Sequence, residues 1–190
     1  MLNFVGRVEE VAGRERIVLN RPDLTRAAVL LPIVFRGNDP HLILTKRTMT
    51  VATHKGQISF PGGVREPEDQ DESANALREA HEEIGLDPKA VKVVGLLDDF
   101  VTTTGFSVTP VVGFVETEAE LTADPVEVAE IIEAPLAILT DPSCHELKRL
   151  EYEDRSYEYH QYEVGEHIVW GATAGIIHRF LTSLEETASS

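Results

Sequence analysis

One cysteine, Cys144, and one tryptophan, Trp170, are all that 190 residues hold of these two types. A single thiol excludes an intramolecular disulfide and any zinc site built from several cysteines, a usage suited to a reducing compartment. Basic residues are also scarce: Lys and Arg number 17 against 33 acids, for a formal charge of −16. Such a surface repels nucleic-acid backbones and anionic membranes, where binding depends on cations that neutralise phosphates. A small anionic ligand would need metal ions or a local basic patch to offset that field. No apolar run approaches the roughly 20 residues that span a bilayer. The amino-terminal stretch MLNFVGRVEEVAGRER carries early acids and no apolar h-region. The expectation is a soluble cytoplasmic protein that engages neither nucleic acid nor membrane. Repeats and low-complexity tracts are missing too.

What is present suffices for a core. Apolar residues make up 42%, and the length fits one domain over 1–190, with a lead-in at 1–24 and a core at 25–184. The lead-in reads as irregular or partly helical. AAVLLPIVF (27–35) is a continuous apolar run of buried-strand length, in which Pro32 predicts a bulge or an edge. After the turn GNDP, HLILTKR (41–47) returns as a hairpin partner. VKVVGLL (91–97) and SVTPVVGFV (107–115) read as strands, and EVAEIIEAPL (127–136) as a strand entering a short helix. EYEDRSYEYHQYEV predicts a hairpin turning near Asp154 and Arg155, with Tyr157, Tyr159 and Tyr162 alternating along it. Trp170, beside Gly171, is expected to anchor packing, and the tail from Trp170 to Leu184 has helical periodicity. The layout is α+β, without regular βαβ alternation.

Ser73 to Ile84 reads as a helix, with Leu77, Ala80 and Ile84 as its apolar stripe. Asp69 and Glu72 fit a D-x-x-E cap, and Gly85 fits the stop. Glu79, Glu82 and Glu83 lie together on the opposite side, where like charges repel by a few tenths of a kcal/mol per pair. A solvated acidic face is the ordinary reading. Two features favour another: the helix follows FPGG, whose backbone can approach a ligand closely, and Arg78 stands four residues before Glu82, where it can fix one carboxylate. Clustered carboxylates beside open backbone suit a hard divalent cation.

These residues resemble the Nudix box, G-x5-E-x7-R-E-U-x-E-E-x-G-U with U apolar. Gly63, Arg78, Glu79, Glu82, Glu83, Gly85 and Leu86 match, and Ala80 takes an apolar position. Asp69 stands where the first Glu is expected, and eight residues rather than seven separate it from Arg78. Capping or turn formation is the expectation for Asp69 and Asp71. The resemblance implies a Nudix-type α/β/α sandwich with mixed sheets, and a hydrolase of nucleoside diphosphate derivatives using Mg²⁺ or Mn²⁺. Carried over by position, Glu79, Glu82 and Arg78 are catalytic candidates, with Glu79 the preferred base. Glu79, Glu82, Glu83 and the Gly62 carbonyl are metal candidates.

The segment ILTKRTMTVATHKGQISFPGG (43–63) resembles the coenzyme A pyrophosphatase pattern L-L-T-x-R-[SA]-x3-R-x3-G-x3-F-P-G-G. Thr45, Arg47, Gly56, Phe60, Pro61, Gly62 and Gly63 match, Ile43 and Thr48 are substitutions, and Ala52 replaces the second Arg. The implied reaction splits coenzyme A to 3′,5′-ADP and 4′-phosphopantetheine. Arg47, His54, Lys55 and Gly63 are the substrate-binding candidates, and Phe60 is expected in the core. Glu127 and Glu130, expected at the surface, are further metal candidates. ADP-ribose or another nucleoside diphosphate derivative is the alternative substrate, and a non-catalytic nucleotide sensor the alternative class. A homodimer is compatible with all of these.

Overall fold

A computed structural model gives the fold and describes residues 2–50, 55–116, 118–152 and 155–188. The apolar run forms the middle of β1 (Thr25–Arg36), around which an eight-stranded sheet is built. Successive β-strand side chains point to opposite faces, and both faces of β1 are covered. Ala28, Leu30 and Val34 enter one core cluster, and Ala27, Leu31 and Ile33 enter the other. That double burial is why the segment reads as unbroken apolar sequence.

On one side β1 pairs in parallel with β7 (Phe106–Val115), from Thr25↔Phe106 to Ile33↔Phe114. On the other it pairs antiparallel with β4 (Gly62–Val64) and then with β2 (Asp39–Arg47). β3 (Ile58–Ser59) and β8 (Val128–Pro135) extend the sheet from β2. β5 (Val91–Leu96) and β6 (Phe100–Val101) pair with β7. One parallel pairing among antiparallel ones makes this sheet mixed. A second, antiparallel sheet consists of β9 (His145–Tyr152), β10 (Arg155–Val164) and β11 (His167–Trp170).

Helices cover both faces of the large sheet. α2 (Glu72–Ile84) buries Ala76, Ala80 and Ile84 against Ala28, Leu30 and Val34. Full burial of a side chain such as Ile84 contributes about 1.5–3 kcal/mol. On the other face α1 (Leu2–Ala12) and α4 (Gly171–Ala188) join the small sheet through Val8, Phe180, Ile177, Tyr162 and Val169. A short helix, α3 (Leu136–Leu139), follows β8 as expected. The result is the α+β Nudix-type sandwich with helices on either side of the sheets.

Three local expectations are corrected. Pro32 lies neither at an edge nor at a bulge: β1 is interior, and Pro32 sits where its antiparallel partner changes. β4 pairs through Val29 and β2 begins at Ile33, so a missing N–H costs no ladder bond there. The cap of α2 is Asp71, which accepts from the Ala74 N–H at 2.8 Å, rather than Asp69. Gly85 does end the helix, at φ 65°, with its N–H on the carbonyls of Ala80 and His81. Trp170 packs edge-on to Tyr159 but stays half exposed, so it anchors little. Tyr162, on the other face of β10 from Tyr157, is buried.

Candidate active site

Helical spacing brings Glu79, Glu82 and Glu83 onto one side of α2, and β4 runs beside them. A Cβ on Gly63 would lie 2.6 Å from the Glu79 carboxylate, and one on Gly62 would lie 2.4 Å from the Ala28 carbonyl oxygen. The two glycines thus serve different neighbours: Gly63 makes room for Glu79, and Gly62 lets β4 lie against β1.

Arg78 organises the cluster. Its Nε and Nη2 donate to the two oxygens of Asp69, both at 3.0 Å. Nη1 lies 2.9 Å from Glu79 and 3.0 Å from Glu82, and Nη2 also reaches the Val64 carbonyl at 3.2 Å. The sequence expectation paired Arg78 with Glu82 alone; the structure adds Glu79, Asp69 and the β4 backbone. These acids hold the guanidinium pKa above its ordinary value, and the Arg78 fork holds the Asp69 carboxyl below its own. Asp69 also accepts from the Glu66 N–H at 2.8 Å. It is therefore the buried partner of Arg78 and a clip in its own loop. Arg65 ties the same loop through the carbonyls of Asp69 and Gln70.

Glu83 is the most buried of the three, with 4% of its side chain exposed. Burial pushes its carboxyl up to about 8, against the opposing pull of Arg47. One oxygen lies 3.5 Å from Arg47 Nη1, and the Gly62 backbone donates to the carboxylate. Buried Oε2 has no hydrogen-bond partner. Burial also raises the Glu79 carboxyl; Arg78 opposes the shift, and Glu82 and Glu127 add to it. Glu82 is the exposed member.

Arg47 reaches Glu83 and, at 3.7 Å, Glu127. Glu127 therefore adjoins the cluster although half exposed, whereas Glu130 pairs with Lys46 and His167. Lys55 is exposed in the turn before β3. His54 and Ala52 lie outside the described residues. Phe60 is in the core.

The donors suit a hard cation. Among the described residues, Asp69, Glu79, Glu82, Glu83 and Glu127 pair with Arg47 and Arg78, with Arg65 near Asp69, so carboxylates outnumber guanidiniums. An orphaned buried oxygen on Glu83 is the kind of atom that a cation satisfies, and oxygen-only donors match Mg²⁺ or Mn²⁺.

Sequence reasoning missed a second polar cluster. His145, His160 and His178, from β9, β10 and α4, present ligating atoms within 4.8 Å of one another, compatible with metal coordination. The signal lay in the hairpin register. The expected turn position at Asp154 lies outside the described residues, but the register it implies sets His145 opposite Tyr162, as the pairing shows, and His160 is two residues away on the same face.

The NUDIX domain family matches residues 24–169. The uncharacterised Nudix hydrolase NudL of Photorhabdus laumondii is 38% identical over 159 residues, 84% of each chain. That of Enterobacter sp. strain 638 is 40% identical over 180 residues, covering 92% of this chain and 90% of its own. Among solved structures, a MutT/nudix family protein from Enterococcus faecalis covers 98% of this chain and 70% of its own. Its TM-score is 0.56 at 15% identity. A Caenorhabditis elegans Ap4A hydrolase reaches a TM-score of 0.50 over 60% of this chain and 82% of its own, at 16% identity. No described helix is long and apolar enough to cross a membrane. With this match across most of its length and these relatives, the chain belongs to the Nudix hydrolase family.

Proposed function

We propose that this protein hydrolyses the diphosphate linkage of a nucleoside diphosphate derivative at the α2–β4 cluster. The observation that carries the reading is Glu83: a carboxylate buried beside Glu79, with one oxygen lacking any partner. Glu79, Glu82 and Glu83, with the Gly62 carbonyl, would hold Mg²⁺ or Mn²⁺. Bound there, the ion supplies charge neutralisation for the phosphates and a more acidic water. Glu79 is positioned to accept the proton from the attacking water, since burial raises its affinity for a proton and Arg78 fixes its direction. Arg78 itself orients carboxylates through their shared ion pairs. Arg47 contributes positive charge beside Glu83 for substrate phosphate, and Lys55 and His54 are candidates for further contacts. Gly63 keeps the substrate side of Glu79 clear of a side chain.

Within this class, coenzyme A and its derivatives are the first substrates to try, on the resemblance of residues 43–63 to the coenzyme A pyrophosphatase pattern. Several matched residues have structural tasks of their own: Thr45 bonds to Ser59, Phe60 fills the core, and Gly62 and Gly63 fit against neighbours. The pattern's weight for substrate choice therefore falls on Arg47. ADP-ribose and other nucleoside diphosphate derivatives fit the same carboxylate chemistry equally well.

The test compares coenzyme A, ADP-ribose, NADH and nucleoside triphosphates with Mg²⁺ or Mn²⁺, identifying products. Release of 3′,5′-ADP and 4′-phosphopantetheine as the preferred reaction supports the coenzyme A reading, and no preference for coenzyme A rejects it. Undiminished hydrolysis in both Glu82→Gln and Glu83→Gln, with the fold preserved, would reject the carboxylate assignment whatever the substrate.

A further inference from the structure

His145, His160 and His178 come from three elements that contribute nothing to the carboxylate cluster. His145 Nε2 lies 2.9 Å from His160 Nδ1. The ring centroids of His160 and His178 are 3.8 Å apart, and His145 stands 5.1 Å from each. All three rings are half-buried. The hydroxyl of Tyr162 is 3.3 Å from His178 Nδ1, and its ring packs on His145 at 4.7 Å.

We propose that these three imidazoles form a second metal site, selective for a zinc-class dication and separate from the carboxylate cluster. Neutral imidazole favours Zn²⁺, Co²⁺, Ni²⁺ or Cu²⁺, whereas carboxylate and water favour Mg²⁺ or Mn²⁺. Tetrahedral Zn–N bonds of about 2.0–2.1 Å place the nitrogens about 3.3 Å from one another. The ligating atoms here already lie within 4.8 Å, with one pair at 2.9 Å, close to the spacing that a tetrahedral ion needs. Three protein nitrogens leave a fourth position for water or another ligand.

Two further observations fit a ligand set. Burial and the neighbouring rings hold His160 and His178 below the usual imidazole range, although Glu185 opposes this at His178. Their neutral form carries the lone pair that a metal needs. The Tyr162 hydroxyl beside His178 fixes that ring's orientation, as outer partners do in histidine metal sites. An ion held here would clip the β9–β10 hairpin to α4, since His145 and His160 belong to the hairpin and His178 to the helix.

The experiment titrates Co²⁺ into chelator-stripped full-length protein in the presence of excess Mg²⁺ and records the visible spectrum. The expected result is one Co²⁺ per chain with the intense bands of four-coordinate geometry, displaced by Zn²⁺. An oxygen-ligated octahedral ion gives only weak bands. His160→Ala and His178→Gln should each weaken Co²⁺ binding at least about tenfold, while Glu83→Gln retains it. Mg²⁺-dependent hydrolysis should survive in His178→Gln. Absence of four-coordinate bands in the unaltered protein overturns the proposal without recourse to any variant. So do bands that persist unweakened in His178→Gln, or bands lost in Glu83→Gln. Should His160→Ala fail to fold, His178→Gln, at the helix rather than in the sheet, decides.

Discussion

The carboxylates of α2 and the histidines of β9, β10 and α4 gather polar side chains within one fold by opposite means. At α2 the groups are carboxyls crowded onto one side of a helix and braced by two guanidiniums. At the small sheet and α4 the groups are imidazole rings that stack and share a hydrogen bond. The first offers oxygen donors only, the second nitrogen donors only. The difference separates two classes of metal by donor chemistry alone, and it predicts that damage at one site leaves the other intact.

The largest expected contrast comes from Glu83→Gln. Removing the buried carboxylate should lower Mg²⁺-dependent hydrolysis by more than the roughly 10- to 100-fold typical of outer-shell partners. Thermal stability should hold, because Gln fills the same space and the buried Oε2 has no hydrogen bond to lose. Activity within tenfold of the parent would show that Glu83 is a buried acid without a catalytic task.

Arg78→Met should come next. Asp69, 4% exposed at its side chain, would be left as a buried charge without its partner, a loss of about 3 kcal/mol. Urea unfolding measures it. His178→Gln in metal-free protein should cost at most about 1 kcal/mol, the scale of one neutral hydrogen bond. Equal losses in the two variants would erase the distinction between a braced cluster and a stacked one.

Gly63→Ala sharpens the geometry. A methyl group 2.6 Å from the Glu79 carboxylate must displace it, and kcat should fall by about tenfold or more, since misplacement by an ångström costs up to about 100-fold. An unchanged kcat would remove Glu79 from the reaction. The smallest effect concerns pH. A carboxyl held below its unfolded value of about 3.9 contributes stability that is present above that pH and lost as pH falls through the folded value. Stability should therefore decline below about pH 4, and Asp69→Asn should flatten that decline in denaturant unfolding followed against pH.

Much of this was legible in the sequence, and the failures share a cause. The acidic face of α2, its glycine stop and the strand at 27–35 follow from spacing along one element, and they are where periodicity points. Pro32 was misread because one-dimensional patterning cannot show that a strand changes partners midway. Asp69 was assigned to the cap because its side chain's true partner, Arg78, lies nine residues on, across a loop of irregular path. Glu127 was already a candidate and does adjoin the site, whereas the histidine cluster depends on pairings between distant segments. Of these, only the β9–β10 register could have been counted out beforehand, from the position of its turn.

The fork of Arg78 on Asp69 has a consequence for the length of the loop between β4 and α2. Family spacing allots that loop one residue fewer than it has. A segment pinned by backbone ladders must keep its register, whereas one held by side-chain ties such as the guanidinium–carboxylate clasp tolerates a change in length. Closure entropy grows only as the logarithm of length, so an eighth residue in place of a seventh costs on the order of 0.1 kcal/mol. The clasp turns an insertion that would wreck a strand into one that the chain scarcely registers, and the helix it aims is left where the carboxylates need it.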